Sequence, residues 1–363
     1  MDSRVRTHAE LLVDHCTDVT ADDNVLIRAP TPAEELVVAL YEVLGERGAR
    51  PTTHWRNPRA GRAYARAMDD DDFRTRDHEL AAMKETDVVI LVGGATNTAE
   101  TSDVDPTKAT ASSRARQPIL EERLDTRWVI TQHPTAAAAQ QAEMSTAAWC
   151  DFVYDAVNRD WDKQREFQQQ LADLLDSADE VRLVSGETTD LRLDVDGMRA
   201  GNDDAEYNLP GGEVYTSPVP DGVEGEVTFD LPLRRNGRDI EDARLVFEDG
   251  VVVDYAARRG EEVLASVLDT DDGARRLGEL GIGMNRGIDR ITHTLLFDEK
   301  MGDTVHLALG NALEECVPDN RAFNRSAAHV DMLVDMSHEA RIEFDGDVVQ
   351  RNGVFRFEDG FEE

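Results

Sequence analysis

The sequence predicts an α/β N-terminal domain with a mostly parallel sheet, followed by a β-rich α+β C-terminal domain. In the first half, short apolar runs alternate with helical patterns, as expected of strands and crossover helices in a parallel sheet. Beyond about residue 180, the period of the apolar residues changes from three or four to two. Asp-Gly pairs, which are typical of two-residue hairpin turns, then separate strand-like runs at 249–250 and 345–346.

Strands and helices are predicted to alternate through the N-terminal half. The strand candidates are NVLIRA (24–29), RPTTHW (50–55), DVVILVGG (87–94) and RWVITQHP (127–134). Helical stretches between and after them include 72–85 and 135–158. Residues 95–115 are small and polar, so we expect a mobile connection there.

The helix after the first strand has start and stop signals of its own. Thr31 is the predicted N-cap, with Pro32 at the first helical position and Glu34 completing a capping box. Gly45 or Gly48 is expected to end the helix.

The change of period also places the domain boundary. Apolar residues recur at three- and four-residue steps through 160–178, which predicts an amphipathic helix. The following TDLRLDV (189–195) alternates apolar and polar residues, which predicts a strand. We therefore expect an α/β domain over residues 1–179 and a β-rich domain over residues 180–363.

The chain is strongly acidic, with 39 basic and 75 acidic residues and a formal net charge of −36. Such a field repels phosphate backbones and anionic lipid headgroups, so nucleic acid and membrane surfaces are not expected partners. Lysine occurs at four positions and arginine supplies the other cations. An acidic, lysine-poor surface is typical of proteins from salt-loving organisms, and we expect a halophilic source.

Cysteine usage and the absence of long apolar runs predict a cytoplasmic location. Cys16, Cys150 and Cys316 are odd in number and far apart, which argues against a disulfide framework and a thiolate zinc site. The start, MDSRVRTHAELLVDHC, has no apolar core of a signal peptide, and no run approaches a membrane span.

Five isolated acidic or imidazole groups stand in apolar settings in the second half. They are Glu213, Glu279, His306, His329 and Asp331. If AAHVDMLV (327–334) is a strand, its histidine and aspartate leave the same face. A buried carboxylate or imidazole without a partner costs several kcal/mol, so each group needs a cation, a hydrogen-bonding neighbour or a metal.

Each of the five groups also has a plain structural explanation when it is taken alone. Glu279 has Arg275, Arg276 and Arg286 nearby in sequence, and a His-x-Asp pair is often a hydrogen-bonded couple. The common catalytic motifs HExxH, GxxxxGK[ST] and GxSxG are absent, and GIGMNR lacks the third glycine of a dinucleotide loop.

The ordered set of segments around these groups resembles one known family, the aminopeptidase T and aminopeptidase S group of thermophilic-type metallo-aminopeptidases. The similar segments in the second half are NLPGGEVYTSP, LGELGIG, LLFDEKMGDTVHLALG and NRSAAHVDMLV. Those in the first half are DNVLIRA, PILEERLDTRWVITQHPT and AAQQAEMSTAAWCDFVY. The resemblance therefore covers nearly the whole chain.

The resemblance implies an α/β domain followed by a β-rich domain that holds two divalent metal ions, in a homodimer that encloses its active sites. Carried over residue by residue, it assigns metal binding to Glu213, Glu279, His306, His329 and Asp331. The implied substrates are peptides with a free N-terminus.

One position departs from the family. The family has a tyrosine seven residues after the histidine of HLALG, where this sequence has Leu313. The role of that phenol must be replaced or dispensed with, and Tyr215 is the candidate substitute.

Three carboxylates and two imidazoles exceed the three protein ligands that one catalytic ion usually takes, which favours two ions sharing a carboxylate and a water. Glu279 is the predicted bridge. Glu299, in FDEK, is either a general base or orienting group, or a surface glutamate beside Asp298 and Lys300. Mixed oxygen and imidazole ligands suit zinc, cobalt or manganese.

Two alternatives remain open at the level of the sequence. His306, His329 and Asp331 alone form the two-histidine, one-carboxylate set of mononuclear iron(II) oxygenases. A ring-cleaving dioxygenase of the dihydroxypyridine type resembles a distant relative of the family. A chain that kept the fold and lost catalysis is the other alternative, against which the retention of all five groups counts.

The acidic composition predicts that the folded state depends on salt. Raising KCl from about 0.1 M to about 2 M screens repulsion among the carboxylates, so we expect Tm to rise, as differential scanning calorimetry will measure. A Tm that is constant or falls over this range would contradict a halophilic adaptation.

Overall fold

The computed structural model describes residues 2–235 and 238–362, and the chain packs as two compact units. The first unit runs to Arg159 and also includes Ala205–Gly211, whereas the second contains Asp160–Asp204 and the chain from Gly212 onward. By packing, the amphipathic helix after Asp160 therefore belongs to the second unit. The division at 179/180 stays a prediction about the domains.

Helices and strands alternate in the first unit and strands dominate the second. In chain order, the first part contains α1 Ser3–Glu10, a π-helical turn Leu11–Cys16, β1 Asn24–Pro30, a 3₁₀ turn Thr31–Ala33, α2 Glu34–Arg47, β2 Arg50–Arg56, α3 Pro58–Ala67, a 3₁₀ turn Asp70–Asp72, α4 Asp77–Lys84, β3 Val88–Gly93, α5 Pro106–Leu124, β4 Arg127–Gln132, α6 Ala136–Gln141 and α7 Thr146–Val157. The remainder contains α8 Trp161–Leu175, β5 Glu180–Ser185, β6 Thr189–Asp194, β7 Gly201–Asp203, β8 Asn208–Leu209, β9 Glu213–Thr216, β10 Val223–Phe229, β11 Leu233–Arg235, β12 Arg238–Glu248, β13 Val251–Arg259, α9 Glu261–Leu268, a 3₁₀ turn Asp272–Arg275, β14 Leu277–Gly283, α10 Leu295–Asp298, β15 Thr304–Gly310, a 3₁₀ turn Glu314–Cys316, β16 His329–Asp335, β17 Ala340–Phe344, β18 Asp347–Arg351 and β19 Val354–Phe355. In the described part of the chain, none of the helices combines the length and the apolar character needed to cross a membrane.

The sheet of the first unit is parallel, as predicted. Its order is β2-β1-β3-β4-β8, and each neighbouring pair is parallel. The central strand β3 begins with Val88, Val89 and Ile90, all fully buried, because a parallel sheet is covered on both faces. The four strand predictions and the fold class are confirmed.

The predicted start of α2 is wrong. Thr31 opens a 3₁₀ turn after Pro30, and the α-helix begins only at Glu34 without a side-chain cap. The backbone N–H of Glu34 donates to the Thr31 carbonyl, so the turn itself satisfies a donor that the capping box was expected to serve. The helix ends at Gly48, one of the two glycines that were predicted to end it. Its φ of 80° is left-handed, a conformation that glycine adopts readily at the end of a helix.

Two other helix predictions need correction. The expected connection at 95–115 contains the first half of α5, which starts at Pro106. The Asp105 side chain accepts a hydrogen bond from Thr107 N at 2.9 Å, so an Asp-Pro start signal overrides the small polar composition. The single helix expected at 135–158 is two helices, because Ser145 caps a new start by accepting from Ala148 N.

The second unit contains two antiparallel sheets. The larger has the order β11-β12-β10-β6-β5-β17-β18-β19, with β13 paired to β12. Both Asp-Gly pairs form the predicted hairpin turns, β12 to β13 and β17 to β18, and all four turn residues have positive φ. The smaller sheet has the order β16-β15-β14-β9-β7 and positions the candidate site.

Folding of the first unit places an uncharged histidine in its core. His8 of α1 is fully buried, and its Nε2 lies 2.7 Å from Thr131 Oγ1. Because the Thr131 hydroxyl donates to the Leu209 carbonyl, Nε2 must carry the imidazole proton. Nδ1 is buried and lacks a hydrogen-bond partner among the described residues. Burial, with a smaller contribution from His133, lowers the pKa of His8 to about 3.

We predict that His8 makes the protein sensitive to acid. Its pKa is depressed in the folded state, so its contribution is fully present above an unfolded pKa of about 6.5 and is lost as pH falls below it. Between about pH 7.5 and about pH 5, the free energy of unfolding should fall by about 2 kcal/mol more in the parent than in His8→Gln. Urea titrations of both proteins at the two pH values measure this difference. Equal losses in parent and variant would contradict the assignment.

Candidate metal centre

Strand alternation gives the smaller sheet one apolar and one polar face. Leu280, Ile282, Leu307 and Met332 belong to the buried core of the second unit. The alternate positions of the same strands and their neighbours carry polar groups, because successive side chains leave opposite faces. These groups are Asp203 on β7, Glu213 and Tyr215 on β9, Glu279 on β14, His306 on β15, and His329 and Asp331 on β16.

The structure brings the five predicted ligand residues together. Glu279 stands between two imidazoles, with Oε1 at 3.2 Å from His306 Nε2 and Oε2 at 3.2 Å from His329 Nε2. Glu213 Oε2 lies 3.4 Å from His306 Nε2, and Asp331 Oδ1 lies 3.4 Å from His329 Nε2. Two groups of three residues therefore share Glu279: one also contains Glu213 and His306, and the other His329 and Asp331. In each group, one potential ligand atom from every residue lies within 4.8 Å of those of the other two.

The alternative partners of Glu279 are occupied elsewhere. Arg275 pairs with Asp269, Arg276 with Asp221, and Arg286 with Asp303 and Glu358. Within the described chain, the carboxylate of Glu279 thus faces imidazoles and not arginines.

The orientation of His329 leaves a nitrogen for a ligand. Its Nδ1 lies 3.0 Å from the Asn311 carbonyl oxygen, which can only accept. Nδ1 therefore donates its proton, and Nε2 faces Glu279 and Asp331. A backbone acceptor on the far nitrogen is the usual arrangement of a metal-binding histidine.

Gly281 provides the space for the ring of His306. The two residues are paired across β14 and β15, and a Cβ added to Gly281 would lie 2.0 Å from Cε1 and 2.1 Å from Nε2 of the imidazole. The ring therefore occupies the volume that any other side chain would need. The glycines of LGELGIG are the sequence signal for this contact, and the sequence analysis did not use them.

Buried negative charge dominates the electrostatics of the site. Glu213, Glu279 and His306 are 5%, 6% and 1% exposed. Burial opposes charging of the imidazoles, yet the neighbouring carboxylates raise the pKa of His306 to about 10 and that of His329 to about 11. The buried Glu213 Oε2 and His306 Nδ1 have no hydrogen-bond partner among the described residues. A cation that accepts oxygen and nitrogen ligands fits this donor set.

Lys300 is a functional candidate that the sequence analysis missed. It is 1% exposed, and its Nζ lies 2.7 Å from Glu213 Oε1, 2.6 Å from Glu299 Oε1 and 3.7 Å from Asp203 Oδ2. Because arginine supplies nearly all the cations of this chain, a retained lysine beside two acidic residues was the available signal.

Glu299 is not a surface residue. Its side chain is 14% exposed and is held by Lys300. Burial raises the pKa of Glu299 to about 7, with Lys300 opposing the rise and the charges of Glu213 and Asp331 adding to it. A carboxylate with a pKa near neutrality is suited to proton transfer.

Tyr215 lies two residues after Glu213 on β9, so both side chains are on the polar face of the sheet. Its ring covers Gly201, where an added Cβ would lie 2.2 Å from Cζ. Burial raises the pKa of the phenol, so the hydroxyl stays protonated. Leu313 contributes its backbone N–H, which donates to Ser217 Oγ at 2.9 Å. Substitution of the family tyrosine by Tyr215 stays a prediction.

The clustered buried carboxylates and imidazoles of the β-rich unit form a candidate metal site, and the family match makes the chain a metal-dependent hydrolase. The chain belongs to the thermophilic metalloprotease (M29) family, whose model matches residues 1–355. The family resemblance found in the sequence is thus confirmed. Membership of a metalloprotease family implies divalent metal ions, and the donor set described above fits them.

Curated relatives carry aminopeptidase names. Aminopeptidase 2 of Geobacillus stearothermophilus is 28% identical over an alignment of 375 positions, gaps included, with 90% of each chain covered. Aminopeptidase T of Thermus aquaticus is 38% identical over 137 residues, which cover 35% of this chain and 34% of the relative. AmpS of Bacillus subtilis is 34% identical over 171 residues, which cover 41% and 40%. These relatives favour a peptidase over a dioxygenase.

Two solved structures share the fold over almost the full length. Wild-type AmpT from Thermus thermophilus has a TM-score of 0.87 at 24% identity, covering 98% of this chain and 99% of AmpT. The 2,5-dihydroxypyridine dioxygenase from Pseudomonas putida KT2440 has a TM-score of 0.62 at 14% identity, covering 99% of each chain. At these identities, both likenesses show the fold alone.

We predict that Gly281→Ala destabilises the protein by about 1–3 kcal/mol, because the new methyl group and the His306 ring would share one volume. Chemical denaturation measures the loss. Gly45→Ala in α2 is the matched control, since an added Cβ meets nothing within 4 Å there. A Gly281→Ala protein as stable as the parent would show that the ring lies elsewhere.

Proposed function

We propose that this chain is a metal-dependent aminopeptidase that hydrolyses the N-terminal residue from peptides by means of two divalent ions. Family membership supports metal-dependent peptide hydrolysis, and the names of the curated relatives support action at the N-terminus. The proposal of two ions is supported mainly by the position of Glu279, which directs one carboxylate oxygen toward each of two imidazoles.

The proposed ligand groups follow the two overlapping clusters. Glu213, Glu279 and His306 would hold one ion, while Glu279, His329 and Asp331 would hold the other. Glu279 would be the residue common to both groups. Mixed oxygen and nitrogen ligands suit zinc, cobalt or manganese. When bound, such a pair of ions polarises the scissile carbonyl and lowers the pKa of an attacking water.

The chain's own residues orient this chemistry. The Asn311 carbonyl fixes the tautomer of His329, and Gly281 leaves room for the His306 ring. We assign Glu299 the role of general base: it accepts the proton of the attacking water on its carboxylate and passes it to the leaving amine. Its low exposure supports the role, because a buried carboxylate takes up a proton more readily than a solvated one.

A dioxygenase with one iron(II) is the weaker candidate. It would use His306, His329 and Asp331 and leave Glu213 and Glu279 without a metal to bind. Both glutamates lie within 3.4 Å of the imidazoles, which supports the two-ion peptidase.

Three finer properties belong to the same proposal. A homodimer is implied by the family resemblance of the segments, and light scattering in molar salt will measure it. A cytoplasmic location is favoured by cysteines that are all free in the described chain. A halophilic source is favoured by the net charge of −36.

The deciding experiment combines metal analysis with hydrolysis of aminoacyl-anilides in molar salt. We expect two equivalents of zinc, cobalt or manganese per chain and chelator-sensitive release of the aniline. N-acetylated substrates should not react, because they lack the free amine. One iron with oxygen uptake would support the dioxygenase, and neither metal nor turnover would support a chain without catalysis.

Variants test the residue roles. His329→Ala and Glu279→Ala should each lose at least one ion and all measurable turnover, since each removes a proposed ligand. Glu299→Gln should keep both ions while kcat falls by about 10²–10⁴-fold. His338→Ala, an exposed histidine of the same unit, is the control and should match the parent. Full activity in His329→Ala or Glu279→Ala would overturn the ligand assignment.

A further inference from the structure

The backbone around Lys300 is fixed, so its side chain enters the site from a defined position. Lys300 N donates to the Phe297 carbonyl at 3.0 Å, and the Lys300 carbonyl accepts from Asn285 N at 2.9 Å. The preceding turn is held by Asp298, whose Oδ1 accepts from Thr292 N and Thr292 Oγ1, each at 2.7 Å. These contacts place the ammonium at a specified point among the carboxylates.

A buried ammonium is costly unless carboxylates surround it, and Lys300 has three. The carboxylates of the cluster are Asp203, Glu213, Glu279, Glu299 and Asp331. Metal binding requires neutral imidazoles and ionised carboxylates, and in that state one ammonium among five carboxylates leaves four negative charges. Two divalent cations neutralise this remainder, whereas a third would leave an excess of positive charge.

The two carboxylate oxygens of Glu213 have different neighbours, because Lys300 contacts only one of them. Oε1 accepts from the ammonium at 2.7 Å. Oε2 lies 3.4 Å from His306 Nε2 and has no hydrogen-bond partner in the described part of the chain. The ion pair therefore holds one oxygen of Glu213 and leaves the other directed toward the His306 side of the cluster.

We propose that Lys300 is a positioning residue that occupies the place of a third cation and makes Glu213 a one-oxygen ligand of the ion on the His306 side. This inference rests on the two-ion site proposed above. Lys300 acts on one ion only, because its ion-pair partners among the described residues are Asp203, Glu213 and Glu299, and neither His329 nor Asp331 is one of them. By holding Glu299, the same ammonium fixes the proposed general base relative to Glu213.

Removing the charge of Lys300 should change metal affinity in opposite directions under the two explanations, positioning of Glu213 and simple repulsion of the ions. If Lys300 only repelled metal ions, removing its charge would tighten the binding of both. If it positions Glu213, removing it frees that carboxylate and weakens one ion. Loss of such an outer partner typically lowers metal affinity by about 10–100-fold.

The test is titration of the apo-protein with Co²⁺, followed by visible absorption and by metal content after dialysis. The variants are Lys300→Met, which is neutral and similar in length, and Lys300→Arg, which retains the charge. Lys163→Met is the matched control, because that lysine lies in the same unit with 80% of its side chain exposed. The parent should bind two equivalents, and its failure to do so would refute the proposed function itself.

Given two equivalents in the parent, Lys300→Met should bind one as tightly as the parent and the other about 10–100-fold more weakly, with an altered Co²⁺ spectrum. Lys300→Arg should restore the second equivalent, and Lys163→Met should match the parent. Parent-like or tighter binding of both ions by Lys300→Met would overturn the proposal. If Lys300→Met does not fold by circular dichroism, Lys300→Gln replaces it.

Discussion

An excess of buried carboxylate over cation on one sheet face is the constraint on which the site depends. Glu213 and Glu279 lie almost entirely out of water, and the buried ammonium of Lys300 is paired with Glu213. Such a concentration of negative charge is unfavourable for the protein alone. Bound divalent cations would offset this charge, so metal binding would also stabilise the fold of this unit.

The five-stranded sheet meets this constraint by separating its two faces. Alternation sends Leu280, Leu307 and Met332 into the core and leaves the opposite face to acids and imidazoles. Antiparallel register then sets which side chains meet, since His306 is opposite Gly281 and Leu333 on the neighbouring strands. A one-residue slip of any of these strands would exchange the two faces, so the apolar core fixes the geometry of the polar site.

Family membership and chemistry agree on a metal-dependent peptidase. A metalloprotease needs metal ligands that are oriented by hydrogen bonds to neighbouring groups, a proton acceptor of suitable pKa and a group that balances the charge of the site. The Asn311 carbonyl, Glu299 and Lys300 are the groups that the structure offers for these tasks. The shared fold of a dioxygenase shows that the architecture alone does not choose the reaction, and under the two-ion proposal Glu213 and Glu279 make the difference.

The sequence by itself determined the order of strands and helices along the chain, the hairpin turns and the five isolated acidic or imidazole groups, to which the family resemblance assigned a shared role. Apolar period, Asp-Gly turns and polar groups within apolar runs are local properties, so each can be identified without coordinates. It missed the helix start at Pro106 and the split at Ser145, where a single capping residue outweighed composition. Only the tertiary structure decided that Glu279 stands between two imidazoles, that Gly281 holds the His306 ring and that Lys300 is buried. Those facts arise from register between strands distant in sequence, which the order of residues within any one strand does not specify.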